Sequence, residues 1–224
     1  PGEYIYYKVP NPWMQVKLLR LLQITLLQVG SHSPASGFTN DSDNEKVIDM
    51  LHNILQAIID SCQETPRVRF SLRKSAPASL IVERQHNNAQ NAVLFEAINL
   101  AIHIDPESQV VANAAVLLGR FILAKETNVR YLGLDAMAHL AACSSSLTPV
   151  KKHQDTIILS LKDRDISVRR RALDLLYSMC DTTNAKTIVG ELVRYLQVAD
   201  YNLREEMVLK IAILTERFAT EVSF

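Results

Sequence analysis

The segment DRDISVRRRALDLLYSMCD, residues 163–181, decides how the rest of the chain is interpreted. Its acidic Asp165 is followed three and four positions later by Val168 and Arg169, and apolar residues then recur at helical spacing. The same order of residue types occurs in ETNVRYLGLDAM, residues 126–137, and in DYNLREEMVLKI, residues 200–211. The three copies begin 39 and 35 residues apart. That spacing is typical of two-helix repeats of the HEAT and armadillo kind.

A second set of apolar segments alternates with these copies, and short polar turns separate the two sets. Two weaker copies, at 11–22 and 87–100, keep the apolar spacing but lack the acid and the arginine. One helix pair cannot bury its apolar face alone, so neighbouring pairs must stack. The pattern predicts an all-α fold, a right-handed α-solenoid of HEAT/armadillo-like helix pairs. We expect a single segment of roughly five repeats over residues 1–224 that is truncated at both ends.

The repeated acid and arginine predict a structural role for the charges. Each acid lies four residues before its arginine, which is the favourable orientation for a pair on one helix. In stacked repeats each arginine could also reach the acid of the next layer. We call this set the arginine ladder, and it consists of Glu126, Arg130, Asp165, Arg169, Asp200 and Arg204. Exposed pairs of this kind contribute about 0.3–0.5 kcal/mol each, so they would set register more than stability. Arg170 and Arg171 are expected to face Asp174 or solvent, with ligand binding as the alternative.

Two polar segments interrupt the repeats. Residues 31–43 are rich in Ser, Gly and Asp and predict a flexible loop. Residues 66–87 predict a basic loop between repeats, with Arg84 and a denser group of charges at Arg67, Arg69, Arg73 and Lys74. This group could contact acidic phosphoinositide headgroups. The alternative is an ordinary solvated loop.

The composition excludes several classes of protein. A formal net charge of zero gives no overall attraction to nucleic acid. Three widely spaced cysteines predict a reduced, intracellular chain. Asp135 and His139 have the spacing of two metal ligands on a helix, but no further ligand lies beside them in the sequence. No phosphate-binding loop, dinucleotide-binding glycine pattern or nucleophile motif occurs. We therefore predict no catalytic, metal or cofactor site.

Several segments closely resemble the trunk of the alpha-adaptins, the large alpha subunits of the plasma-membrane clathrin adaptor complex. Gamma-adaptins are similar but more distant. The segments that carry the resemblance are VPNPWMQVKLLRLLQ (9–23), NAQNAVLFEAINLAIHID (88–105), ETNVRYLGLDAMAHLA (126–141), RDISVRRRALDLLYSMCDTTNAK (164–186) and ADYNLREEMVLKIAIL (199–214). They cover nearly the whole chain in order, and the two polar loops depart from the family pattern.

The resemblance implies a scaffold from the middle of the trunk. The implied partners are beta, mu and sigma adaptins, with clathrin and cargo contacted indirectly and phosphoinositide membrane through the parent complex. The implied location is the cytosolic face of the plasma membrane at clathrin-coated pits. No functional residue of the family is carried over to this chain. The alternatives are a peptide- or partner-binding solenoid, such as a nuclear transport or phosphatase scaffold, and a membrane module acting through residues 67–84.

Overall fold

The structure is a computed structural model that describes residues 4–31, 41–63 and 77–218. The chain falls into two compact units, Pro1–Ala114 and Ala115–Phe224, and each is described here by itself. Within the described residues there are ten α-helices and two strands of two residues each. The prediction of an all-α fold is confirmed.

The first unit contains a small hairpin and three long helices. The hairpin pairs β1 (Ile5–Tyr6) with β2 (Val9–Pro10) in antiparallel register. Helices α1 (Pro12–Ser31) and α2 (Asp41–Gln63) both pack against α3 (Pro77–Ile104). Helix α4 (Gln109–Ile122) begins in this unit.

Helix α3 supplies most of the core of the first unit. Its fully buried residues include Leu94, Ile98 and Ala101, and Leu55 and Ile59 of α2 are equally buried. Burying such aliphatic side chains contributes about 1.5–3 kcal/mol each. Polar contacts between elements of this unit include Arg20 of α1 with Glu96 of α3 at 2.9 Å, and the Asn113 amide, which donates to Gln56 Oε1 at 3.1 Å.

Part of each predicted loop is helical. Residues 77–87 belong to α3, so the prediction of a loop over 66–87 is wrong for that part. Pro77 occupies the first helical position, which its fixed φ favours. Polar residues such as Glu83 and Arg84 are the exposed face of this helix rather than a loop. Likewise Ser31 ends α1 and residues 41–43 begin α2. The remainder, 32–40 and 66–76, lies outside the described residues.

The second unit repeats one arrangement of paired helices. The longer helix of each pair carries the repeated motif: α5 (Thr127–Cys143), α8 (Ile166–Ser178) and α10 (Tyr201–Phe218). Between them lie α6 (Thr148–Lys151), α7 (Gln154–Ser160) and α9 (Ala185–Leu196). Helix α8 packs on α5, α7 and α10, and α10 packs on α9.

Equivalent positions of the repeat have equivalent burial in the second unit. The apolar residue before each ladder arginine, Val129, Val168 or Leu203, is buried, as is the residue four positions later, Gly133, Ala172 or Met207. Gly133 lies where an added Cβ would come within 3.1 Å of Phe121 Cβ, so α5 and α4 approach closely there. The sequence repeat is therefore a repeat of core contacts.

The segment between α5 and α8 is not one continuous helix, although its apolar spacing favours one. It divides into α6 and α7 around Lys152 and His153. The His153 ring packs directly against Gly119 of α4, in space that any larger side chain at that position would need. Burial, helped by the charge of Lys152, lowers the pKa of His153. The imidazole is therefore mainly neutral at pH 7.

Candidate functional site

The three ladder arginines make the same contact with the backbone. Each side chain turns back beneath its own helix and donates to carbonyl oxygens of the preceding turn. Arg130 Nη1 reaches the carbonyls of Ala124 and Lys125 at 3.1 and 2.9 Å. Arg169 Nη1 reaches those of residues 163 and 164 at 2.6 and 3.1 Å. Arg204 Nε reaches the carbonyl of Ala199 at 2.8 Å. These bonds satisfy turn carbonyls that have no partner within a helix.

Two of the three arginines also contact a carboxylate of the next layer. Arg130 and Asp163 form a bidentate pair, with Nε to Oδ2 at 2.6 Å and Nη2 to Oδ1 at 3.0 Å. Their side chains are 17% and 10% exposed, so the pair is largely removed from water. Arg169 makes a single contact, from Nη2 to Oδ2 of the half-exposed Asp200, and so joins α8 to the start of α10. Bidentate arginine–carboxylate pairs are among the stronger hydrogen-bonded contacts in proteins.

The structure corrects the partners that local spacing predicts. All six ladder residues lie in the described part of the chain, and none of the pairs Glu126/Arg130, Asp165/Arg169 and Asp200/Arg204 forms an ion pair. Asp165 instead caps α8, where its Oδ1 accepts from the backbone N–H groups of Ser167 and Val168 at 2.8 and 3.4 Å. Each arginine side chain extends toward the turn before its own helix, so it does not meet the acid four residues earlier.

The contact between Arg130 and Asp163 shifts the pKa of both groups. The hydrogen bond from Arg130, with Asp163 as its charged partner, raises the pKa of Arg130 despite the cost of burial. Burial alone would raise the pKa of Asp163, but the bonds from Arg130 and from the Asp165 N–H outweigh it and lower that pKa. Both groups are therefore charged throughout the physiological range of pH.

The remaining arginines of the opening segment belong to an ion-pair network on α5, α8 and α10. Arg171 contacts Asp135 of α5 and lies 3.7 Å from Asp174 on its own helix. Asp174 in turn contacts Lys210 of α10. The network continues from Lys210 to Glu206 at 3.0 Å, and Glu206 lies 3.2 Å from Arg170. All three consecutive arginines thus pair with carboxylates of neighbouring helices, which is an architectural arrangement.

A second polar cluster joins the turn before α9 to the layer before it. Asn184 is buried and donates to Gln154 Oε1 at 3.1 Å and to the Met179 carbonyl at 3.2 Å. Its Oδ1 accepts from the Asp181 N–H at 2.8 Å. The Asp181 carboxylate pairs with Lys151 and accepts from Thr183. Burial opposes the charge of Asp181, yet these bonds lower its pKa to about 2. In the sequence this stretch was only one of the short polar turns that separate the helices.

Other predicted features have different outcomes. The basic residues Arg67, Arg69, Arg73 and Lys74 lie outside the described residues. No group of three potential metal ligands occurs within the described residues, and Asp135 is engaged by Arg171. Cys180 is a buried free thiol whose pKa is raised to about 11 by burial and by Asp181. None of the helices in the described ranges is long and apolar enough to cross a membrane.

Comparison with known families shows which proteins this chain is related to. The model of the adaptin N-terminal region matches residues 4–223. The chain belongs to the adaptin family. Over its whole length it is 49% identical to AP-2 complex subunit alpha-2 of Dictyostelium discoideum and 41% identical to AP-2 complex subunit alpha-1 of Arabidopsis thaliana. Identity to AP-1 complex subunit gamma of Dictyostelium discoideum is 30% over 94% of the chain.

These adaptin relatives are much longer proteins. The chain covers 20% of the Dictyostelium alpha subunit and 19% of the Arabidopsis one. The resemblance to alpha-adaptins is confirmed, and so is the ranking of gamma-adaptins as more distant. The helical solenoid class predicted from the repeats is confirmed by the family match.

Proposed function

We propose that this adaptin chain is a scaffold segment of the large subunit of a clathrin adaptor complex, and that it supports cargo sorting and vesicle formation in clathrin-mediated endocytosis. The observation that carries the proposal is identity of 49% to an AP-2 alpha subunit across all of the chain. The charged groups that the structure describes around the repeats are engaged in joining helices, which suits a support rather than a catalyst.

The proposed partners are the other adaptor subunits, beta, mu and sigma adaptins, with clathrin and cargo bound indirectly through the assembled complex. The proposed location is the cytosolic face of the plasma membrane at coated pits. The names of the relatives support this, because each relative is a subunit of an AP-2 or AP-1 complex. No nucleic acid is proposed as a partner, since the formal net charge is zero.

The mechanical part of the proposal rests on the arginine ladder and its next-layer acids. A scaffold must hold partner-binding surfaces at fixed spacing, so its layers must not slide on one another. Apolar contacts alone are non-directional. The bidentate Arg130–Asp163 pair and the Arg169–Asp200 pair each add direction to a layer contact. We propose that the ladder fixes the register of successive helix pairs.

Contact of the basic group with membrane is a separate proposal. Arg67, Arg69, Arg73 and Lys74 would contact phosphoinositide headgroups when the parent complex lies on the membrane. Changing all four residues to Ser should reduce binding to vesicles that contain phosphoinositides. Binding that is unchanged relative to the unaltered chain would remove this proposal and leave the scaffold role intact.

Affinity capture of the subunit that carries this chain, from its own cells, tests the scaffold role. Mass spectrometry of the captured material should identify a beta, a mu and a sigma adaptin in comparable amounts. Cross-linking would then show which of their lysines lie near this chain. Recovery of nuclear import cargo or a phosphatase in their place would contradict the proposal and favour the peptide- or partner-binding alternative.

A further inference from the structure

A groove in the first unit has features of a binding site that the scaffold role does not use. It encloses about 410 Å³ between the head of α1 and the middle of α3, beside the β1–β2 hairpin. That volume is in the range of sites for small ligands and side chains. Its lining includes the small residues Ala89, which is buried, and Ala92, together with the larger apolar residues Tyr6, Trp13 and Val16.

The aromatic wall is held in place by a strained hairpin. The turn residues Tyr7 and Lys8 have φ of 44° and 71°, in the left-handed region that turns of this kind usually fill with Asn and Gly. The hairpin sets the Tyr6 ring edge-on to Trp13, with 4.5 Å between ring centroids. It is fixed to α3 by a 2.6 Å contact between His86 Nδ1 and the Tyr7 carbonyl oxygen. Backbone strain of this kind persists only where surrounding contacts impose it.

Trp13 remains accessible although its neighbours hold it in position. The side chain is 58% exposed. A tryptophan that is both positioned and exposed is typical of interaction surfaces, where an aromatic ring supplies contact area at a small entropic cost.

Two charged residues, Lys17 and Arg20, line the groove, and both are cationic. Lys17 is exposed, and no carboxylate among the residues that the structure describes pairs with it. Arg20 is held by Glu96 through Nε, which leaves its other guanidinium nitrogens to other acceptors. Amide groups of Gln85 and Asn88 line the groove on the α3 side. Side-chain amides can both donate to and accept from a peptide backbone.

We propose that this groove binds an extended peptide segment of a partner protein in which an acidic residue stands next to a bulky apolar one. The apolar side chain packs against Trp13 and Tyr6, next to Ala89. The carboxylate pairs with Lys17, and Asn88 hydrogen-bonds the peptide backbone. The positive sign of the groove selects the acidic residue, and the aromatic wall selects its neighbour.

The single tryptophan of the sequence makes the test direct. The probe is an acetylated and amidated synthetic peptide, GSEDLFGS, titrated into the 224-residue chain while Trp13 emission is recorded. We expect a saturable blue shift with a dissociation constant below about 1 mM. Two comparison peptides, GSKKLFGS and GSGSLFGS, should bind at least tenfold more weakly, because they lack the acidic residues.

Matched variants separate the groove from general charge. Lys17→Glu should weaken binding of GSEDLFGS about tenfold, whereas Lys186→Glu, which changes an exposed lysine of α9, should leave it unchanged. Circular dichroism on both variants confirms that the fold is retained. No change in Trp13 emission up to about 1 mM peptide would overturn the proposal. So would equal binding of the comparison peptides, or equal effects of the two variants.

Discussion

The two units of this adaptin chain hold their helices together in different ways. In the second unit, ion pairs and a buried asparagine link α5, α8, α9 and α10, and the contact of the ladder arginine with the preceding turn recurs in each strong copy of the repeat. In the first unit, α1 and α2 pack on α3, and in the Arg20–Glu96 pair the arginine is exposed whereas the carboxylate is only 12% exposed. Large apolar residues of α1, such as Met14 and Leu21, remain exposed there. The repeated arginine contact thus accompanies the strong copies of the repeat, and the weaker copies, which lack the arginine, do not have it.

The largest expected effect is in the second unit. Arg130→Ala would leave the Asp163 carboxylate partly buried without its bidentate partner, and would leave the carbonyls of Ala124 and Lys125 without a donor. We expect the free energy of unfolding to fall by about 3 kcal/mol. Urea denaturation followed by circular dichroism measures it, with Lys186→Ala as the exposed control. A loss below about 0.5 kcal/mol would mean that the polar contacts add nothing to this unit.

Asn184→Ala should be next in size. The change removes the bonds to Gln154 and to the Met179 carbonyl, and leaves the Asp181 N–H without its acceptor at the start of α9. The expected loss of unfolding free energy is about 2 kcal/mol. Asn184→Asp keeps the acceptor but loses the amide donor, so it should fall between Ala and the unaltered chain. Equal stability of all three proteins would contradict the role given to this cluster.

The loss of stability at low pH should come partly from two aspartates of the second unit. The folded-state pKa values of Asp163 and Asp181 lie below the unfolded value of about 3.9. Their stabilisation is therefore complete above about pH 5 and is lost as the pH falls toward 2. Asp181 is 34% exposed, so its own share is on the order of 1 kcal/mol after screening by water.

Asp181→Asn tests this share of the acid dependence. The variant should lose less stability between pH 5 and pH 3 than the unaltered chain, since it has one fewer group to protonate. Unfolding midpoints in urea at four values of pH measure the slope. An identical slope for both proteins would rule out Asp181 as a source of acid sensitivity.

The smallest effect is expected at the Arg20–Glu96 pair of the first unit. Glu96 is 12% exposed, but Arg20 is 65% exposed and makes a single bond to it, so Arg20→Ala should lower the free energy of unfolding by no more than about 1 kcal/mol. The same urea experiment applies. A loss as large as that of Arg130→Ala would erase the contrast between the units.

The sequence predicted the regular unit better than the irregular one, for a physical reason. Apolar spacing and the repeated Val–Arg or Leu–Arg pair identify α5, α8 and α10, because equivalent positions are buried in each copy. The repeat predicted two partners for each arginine, the acid on its own helix and the repeat acid of the next layer. Arg169 does contact the next-layer acid Asp200, but Arg130 contacts Asp163 rather than Glu126 or Asp165, because packing of the layers brings Asp163 to it from 33 residues away. A tertiary contact here overrides a weak local preference.

The first unit shows two further limits of sequence reasoning. The helical segment 77–87 looks like a loop because it is polar, yet its Gln85 and His86 are held by the hairpin. The hairpin itself has no turn signal, because Tyr7 and Lys8 occupy left-handed positions where Gly or Asn would be expected. The groove around Trp13 forms only because this helical segment and the hairpin lie beside it. Since the sequence predicted neither, it showed Trp13 only as an isolated tryptophan.

A double-mutant cycle on Arg130 and Asp163 tests the central claim, that repeated charged contacts join the layers of this adaptin segment. The free energies of unfolding of Arg130→Ala, Asp163→Ala, the double variant and the unaltered chain give the coupling of the two side chains. We predict a coupling of about 2 kcal/mol, larger than for the pair of Arg20 and Glu96 measured in the same way, in which the arginine is 65% exposed. A coupling below about 0.3 kcal/mol would show that the layers are held by apolar packing alone, and would contradict the claim.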